Sequence, residues 1–222
     1  MLDGHTAHEQ MSIDDALARA AQPTLRLFRW PHPALSLGRN QIRPDWLDRA
    51  RALELGVEVV ERPTGGGLAL HGGDLSCSVV VPLAPHLRLS DVMARICETL
   101  SDACRSVGAE VEWVGELSPA GGLGGPGTSA RVMYCLAQRS SYALYTGGKK
   151  FGGLAIRRYP RALLVQGSCA IRAVPEPVRR LMSPDAAELY AASSTWLEAA
   201  CGSPISEDRL IQEIRASWRA IF

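Results

Sequence analysis

Three short segments carry the residue types that do chemistry. The first is Glu61-Arg-Pro-Thr-Gly-Gly-Gly-Leu-Ala-Leu-His71. Gly65, Gly66 and Gly67 let backbone approach a ligand closely and open the φ > 0 region. Successive N–H groups can form a nest for an anion, and Arg62 can add a charge-assisted hydrogen bond. The same letters also describe a glycine-rich turn between strands, with His71 an ordinary polar strand residue. Spacing alone leaves both readings open. The second segment is Gly147-Gly-Lys-Lys-Phe-Gly-Gly-Leu-Ala155. Lys150 begins an apolar strand just after a turn; its ammonium can hold a carbonyl or a phosphate if it points into a cleft, or can belong to a plain exposed basic hairpin. Lys149 reads as a solvated turn residue. Gly152 and Gly153 leave room on a sheet for a ligand or a crossing backbone. Phe151 stands where a Walker A loop needs Ser or Thr, so this is not that motif. The third segment is Tyr134-Cys135. Its thiol lies beside a glycine-rich stretch, accessible to substrate, and a neighbouring Lys150 or His71 would favour the nucleophilic thiolate.

These segments need elements to hold them. Ser12 and Asp15 predict the start of an Ala/Leu-rich helix. Thr24–Trp30 and Ala34–Gly38 read as strands joined by Pro31-His-Pro33. Pro44 suits the first turn of a helix running to Leu55 and stopping at Gly56. Val57–Val60 is a strand, and Leu75–Val81 a buried one with Leu75, Cys77, Val79 and Val81 on one face. Ser90 predicts the cap of a helix with Val92, Ile96 and Leu100 on its stripe, ending near Gly108. Val111–Val114 is a short strand. Residues 118–129 hold five glycines and two prolines and read as a flexible loop, either a mobile lid or a tolerated insertion. Ser141–Tyr145, Lys150–Arg157 and Ala162–Ile171 are three further strands. The tail from Ser206 is an amphipathic helix with Leu210, Ile214, Trp218 and Ile221 on its apolar stripe. Strands and helices mix without regular βαβ alternation. The expected fold class is therefore α+β, one catalytic-type domain over residues 1–222 with a largely antiparallel sheet packed against helices.

Composition narrows the function. The 222 residues are 46% apolar, enough for a sizeable core, and 24 Lys+Arg face 23 Asp+Glu. That balance argues against a general phosphate-backbone binder, and no nucleic-acid partner is expected. The polar Met1–Gln10 stretch lacks the apolar region of a signal peptide, and no run approaches the ~20 apolar residues of a membrane span. A cytoplasmic protein without a membrane partner is expected. The six cysteines, Cys77, Cys97, Cys104, Cys135, Cys169 and Cys201, are scattered without a C-x-x-C pair, so no metal site is expected, and the plain reading of each, Cys135 included, is a small buried hydrophobe.

Taken in order, the motifs resemble the lipoate branch of the biotin/lipoate protein ligase family. Arg62-x-x-Gly-Gly-Gly-x-x-x-His71 is similar to that branch's lipoyl-binding loop. Gly148-Lys-Lys-x-x-Gly-x-Ala155-x-x-Arg158 resembles its lysine strand, and Gln166-Gly-Ser168 the end of the next strand. Leu27-Phe-Arg-Trp30 and Leu37-Gly-Arg-Asn-Gln41 fit its opening hairpin. The branch holds two chemistries. Its ligases activate a free acid with ATP and usually carry Asn-Asp before the lysine strand, a pair this chain lacks there. Cys135-Leu-Ala-Gln-Arg-Ser140-Ser-Tyr142 looks instead like the octanoyltransferase signature, with Arg139 for a proline and Ala143 for a glutamate. Leu154, Ile156 and Gln166 depart from the usual serine, glutamine and histidine. The resemblance implies a mixed sheet packed against helices and a cofactor-free acyltransferase. It implies Cys135 and Lys150 as catalytic residues, and Arg62, Gly65, Gly66, Gly67, His71, Gly153 and Ala155 as substrate-binding. It implies acyl carrier protein, or another acylated carrier, as donor and a lysine of a lipoyl carrier domain as acceptor. The alternatives are an ATP- and Mg-dependent lipoate-protein ligase, or a binder of acylated carriers without catalysis.

Overall fold

A computed structural model of the chain describes residues 4–115 and 140–218. Nine strands and seven helices are described: α1 (Ala7–Ala20), β1 (Thr24–Phe28), β2 (Ala34–Leu37), α2 (Arg49–Glu54), β3 (Glu58–Glu61), β4 (Ala69–His71), β5 (Asp74–Pro82), α3 (Leu89–Ser106), β6 (Glu112–Val114), β7 (Ala143–Thr146), β8 (Lys149–Arg158), β9 (Ala162–Ala170), α4 (Glu176–Arg179), α5 (Pro184–Ser193), α6 (Leu197–Cys201) and α7 (Glu207–Ser217). The larger sheet is antiparallel throughout, in the order β1-β5-β9-β8-β7-β6. A smaller sheet places β2 between a parallel β3 and an antiparallel β4. This is the α+β class expected from the sequence.

Alternation divides the large sheet into two faces. Leu75, Cys77, Val79 and Val81 of β5 join Leu163, Val165 and Cys169 of β9 against α3 and α7. The opposite face turns Val80 and Leu164 to Ala18 of α1. Farther along that face the residues become polar: Ser76, Ser78, Gln166 and Ser168. This is the face that carries the candidate site. The small sheet stands beside it, holding Leu35, Leu37 and Leu70 against Val178, Ala186 and Tyr190.

Several element ends differ from expectation. α1 begins five residues before Ser12, because Thr6 and Glu9 form a reciprocal capping box. Ser12 lies inside the helix and donates to the His8 carbonyl at 2.8 Å. α2 is a single short helix capped by Asp48, not a helix starting at Pro44. Ser90 sits in the first turn of α3, whose N-cap position is Arg88. β4, α4 and α6 were not anticipated, since each is too short for periodicity to reveal; nor was the ten-residue α5, which buries only Ala186 and Tyr190 and so shows little of an apolar stripe. Among the described residues no helix is long and apolar enough to cross a membrane.

Candidate active site

A break in the pleat sets the position of Lys150. Leu144 pairs with Gly152, but Tyr145 pairs with Lys150, so β8 carries one extra residue at Phe151. Strict alternation from Leu154 and Ile156, which pack on the α3 core, would send Lys150 into that core as well. The bulge instead puts Phe151, fully buried, on the core side and returns Lys150 to the polar face with Gly153 and Ala155. Lys150 is only 2% exposed, and its Nζ donates to Ser140 Oγ at 2.7 Å. A β-carbon at Gly153 would lie 3.3 Å from Lys150 Cε and 3.5 Å from Nζ. The glycine therefore makes room for the lysine side chain itself. Lys149 is exposed and reaches the Ala191 carbonyl at 3.1 Å.

The glycine triplet lies over the same face. A β-carbon at Gly66 would come within 3.9 Å of the Ala155 methyl and 2.9 Å of Arg62 Nη2, and Gly66 has φ +92°. Both points bar a larger residue there. Arg62 is buried beneath the loop. Its Nη2 donates to the carbonyls of Gly65 at 2.7 Å and Gly67 at 2.6 Å, and its Nη1 to the Ser36 carbonyl at 2.9 Å. No peptide bond among the described residues is cis, so the Gly66 N–H points opposite to the Gly65 carbonyl and away from Arg62. Arg62 thus shapes the loop from inside by holding its carbonyls. Two residues of strand rise, about 7 Å, separate Gly153 under Lys150 from Ala155 under Gly66.

Two buried polar clusters support this surface. In the first, His71 stacks on Trp30 with ring centroids 3.9 Å apart and 19° between planes. Its Nε2 meets Ser36 Oγ at 2.7 Å and its Nδ1 meets Asp74 Oδ2 at 2.8 Å. Asp74 also accepts from Ser168 Oγ at 2.6 Å, Ser76 Oγ at 3.0 Å and the Gly72 amide at 3.0 Å. Burial alone would raise the Asp74 pKa, but the electrostatic interaction with His71 and the hydrogen bonds from His71, Ser168 and the Gly72 amide outweigh it and hold the carboxyl below its ordinary value. In the second cluster, Gln166 accepts from Thr64 Oγ1 at 2.6 Å and donates to Asp14 Oδ2 at 2.7 Å, tying the loop to α1. Asp14 also accepts from Ser78 Oγ at 2.6 Å and pairs with Arg26. Burial raises the Asp14 pKa despite Arg26 and those hydrogen bonds.

The structure thus brings Lys150, Gly153, Ala155 and the glycine triplet to one surface. Arg62 lies just under it and His71 one layer deeper. Cys135 and the glycine-rich stretch 118–129 lie outside the described residues. Sequence reasoning gave no site role to Ser36, Thr64, Asp74 or Ser168. Asp74 follows His71 by three residues, the one local signal that pointed to a partnership. An open cleft of about 420 Å³ flanks the loop on the α1 side, lined by Met11, Asp15, Arg39, Arg62, Pro63 and Arg157 among others.

The same fold occurs in solved lipoate-protein ligases. Lipoate-protein ligase A, in its crystal structure bound with ATP, superposes with a TM-score of 0.74 at 19% identity, covering 100% of this chain and 83% of that one. A putative lipoate protein ligase from T. acidophilum with bound lipoic acid gives 0.69 at 19%, covering 99% and 82%. The family model "lipoyl protein ligase A/B catalytic domain" matches residues 6–219, and the chain belongs to that family. Among its curated relatives, the octanoyltransferase LipM of Carboxydothermus hydrogenoformans is 34% identical over 74% of this chain and 61% of its own length. LipM of Symbiobacterium thermophilum is 31% identical over 89% of this chain and 76% of its own. The match thus spans less than two thirds of the first relative.

Proposed function

We propose that the chain is an octanoyltransferase that moves an octanoyl or lipoyl group from a carrier thioester, through Cys135, to a lysine of a lipoyl carrier domain. One observation carries the reading. The Lys150 ammonium is held on the glycine-loop face, against Ser140, five residues along the chain from Cys135. The two LipM relatives support it.

In this reading the Cys135 thiolate attacks the acyl carbonyl and the bond to the carrier sulfur breaks, releasing the carrier thiol. Lys150 and the Gly66 amide stabilise the negative oxygen that forms. The neutral ε-amine of the acceptor lysine then attacks the acyl-enzyme, an amide forms, and the Cys135 thiol is restored. Gly65, Gly67 and Ala155 line the path of the acyl group, while Arg62, His71 and Gly153 hold the surface in shape. The donor is acyl carrier protein or another acylated carrier. The chemistry draws on no cofactor and belongs in the reducing cytoplasm, where the free Cys77, Cys97, Cys104, Cys169 and Cys201 stay reduced.

Intact-mass spectrometry tests this directly. Mixing with octanoyl carrier protein should leave one octanoyl adduct, mapped to Cys135 and discharged by added lipoyl domain. AMP release from ATP and lipoate without such an adduct would assign a ligase. Carrier binding without transfer would assign a binder.

A further inference from the structure

The buried His71 cluster lies one layer below the surface to which the proposed transfer is assigned, yet its hydrogen bonds run to the glycine triplet without interruption. Their direction follows from donor counting. Arg62 has no acceptor, so its Nη1, 3.2 Å from Ser36 Oγ, must donate there. The Ser36 hydroxyl hydrogen is then available to His71 Nε2. A His71 that accepts on Nε2 carries its proton on Nδ1 and donates it to Asp74. Asp74 ends the chain as a pure acceptor, fixed by Ser168, Ser76 and the Gly72 amide. Trp30 clamps the imidazole by stacking and donates its Nε1 hydrogen to Ser76 Oγ at 2.9 Å. Every member is buried: Ser36 1%, Arg62 6%, His71 4% and Asp74 7% exposed. Water is therefore a poor substitute for a missing partner.

We infer that Asp74, acting through His71, Ser36 and Arg62, is a positioning residue that fixes the glycine triplet in the conformation presenting the Gly66 amide. The relay orients four side chains in one sense, so that a break at any link leaves the guanidinium held by the Ser36 carbonyl alone on its Nη1 side and loosens its grip on the Gly65 and Gly67 carbonyls. Ser168 belongs to it from the neighbouring strand, and thereby ties the loop to the same sheet that carries Lys150.

The role for transfer rests on the proposed function, but the effect on the loop does not. The test is therefore hydrogen exchange at the Gly65–Leu68 amides in the substrate-free full chain, with octanoyl-transfer rates read alongside. Ser36→Ala severs the relay between His71 and Arg62 while leaving the His71–Asp74 pair, and Asp74→Asn removes its terminal charge. Each should speed loop exchange about tenfold or more, the scale of losing one buried hydrogen bond. Each should also lower kcat more than it raises KM. The double variant should be no worse than the worse single one, because the two act on one chain. Ile214→Val, on the α7 side of the sheet, should lower thermal stability without touching loop exchange. Wild-type loop exchange in Ser36→Ala overturns the relay, even if Asp74→Asn fails to fold. So do additive single effects, or an equal speeding of loop exchange by Ile214→Val. Faster loop exchange with no transfer activity in the wild type would leave the relay standing and sink the transferase reading alone.

Discussion

Gly38→Ala tests whether the glycine triplet's position matters, from a residue that no substrate need touch. A β-carbon at Gly38 would stand 1.9 Å from the Gly66 carbonyl oxygen, 2.8 Å from its carbon and 3.0 Å from the Gly65 carbonyl carbon. Close C···O contacts fall near about 3.3 Å, so the two backbones must part by roughly 1.4 Å. Neither side is a flexible side-chain tip. The segments are also stitched together, by Arg39 N to the Thr64 carbonyl at 2.8 Å and Arg62 N to the Leu37 carbonyl at 2.9 Å. The displacement therefore falls on Gly66 and strains the Arg62 bonds to Gly65 and Gly67. A misplacement of about 1 Å in a catalytic constellation costs on the order of 10² in rate. Overpacking of this kind costs about 1–3 kcal/mol, and each kcal/mol lowers Tm by about 2–4 °C in a chain of this size. The expected variant is folded, somewhat less stable, and about a hundredfold slower in transferring octanoate from carrier to lipoyl domain. The assay is a steady-state transfer measurement with a thermal melt on the same preparation. A folded Gly38→Ala protein within about threefold of the wild-type rate would refute the reasoning, since the loop would then act as a plain turn.

The other expectations use the same transfer assay or simple biophysics. Lys150→Ala should lose about 10²–10³ in rate, the usual cost of one preorganised electrostatic donor, while the exposed Lys149→Ala should be near neutral; equal effects would mean that Lys150 does not face the reaction. Cys135→Ser should fold normally and form no stable octanoyl adduct by intact mass, and wild-type turnover in that variant would remove the covalent step. Gly66→Val should abolish transfer, because it meets both a φ of +92° and the Arg62 guanidinium at 2.9 Å; normal turnover would release the loop from any role. Asp74 has a lowered folded-state pKa, so the stability it contributes is full above the unfolded carboxyl value of about 3.9 and is lost as pH falls through the folded value. Acid titration of the melting temperature should accordingly be shallower below about pH 4 in Asp74→Asn than in the wild type, and identical slopes would show that Asp74 is not the group responsible.

Much of this was legible from residue types. The alternation of Leu75, Cys77, Val79 and Val81 identified the central strand and its core face, because a strand buried on one face writes its period directly into the sequence. The glycine triplet, singled out by residue type as a candidate ligand loop, does lie over the lysine strand at Ala155. The polar layer was less visible. Ser36, Thr64, Asp74, Gln166 and Ser168 come from four separate stretches of chain, and only tertiary folding brings them together. Arg62 shows the limit most plainly. A lone arginine before a glycine loop invites an anion, but the folded loop offers it two carbonyls at 2.6 and 2.7 Å, and it turns inward to them. Helix starts failed for a local reason. Thr6-x-x-Glu9 and Ser12-x-x-Asp15 both satisfy a capping pattern, and the burial of Ala7 and Met11 against Trp30 and Val60 selects the earlier one.

The bulge at Phe151 shows why a pattern can identify a strand and still misplace its most important side chain. Lys150, Gly152, Leu154 and Ile156 share parity, and in an unbroken strand all would face α3. A charged lysine among those aliphatic groups would carry a desolvation cost of several kcal/mol. Phe151 would then stand on the polar face, close to where the glycine triplet needs space over Ala155. One extra residue corrects both errors at once, burying the ring in the core and turning the ammonium towards Ser140 and the loop. The adjacent glycines permit it. A β-carbon at Gly152 would sit 2.9 Å from the Ser168 carbonyl oxygen, and one at Gly153 would press on the lysine stem. The Lys-Phe-Gly-Gly run is thus a single device, in which the lysine supplies the charge, the phenylalanine anchors the bulge, and the two glycines clear the sheet around them. Its sequence trace is the loss of strict alternation next to paired glycines, and that irregularity falls where the sheet meets the proposed chemistry.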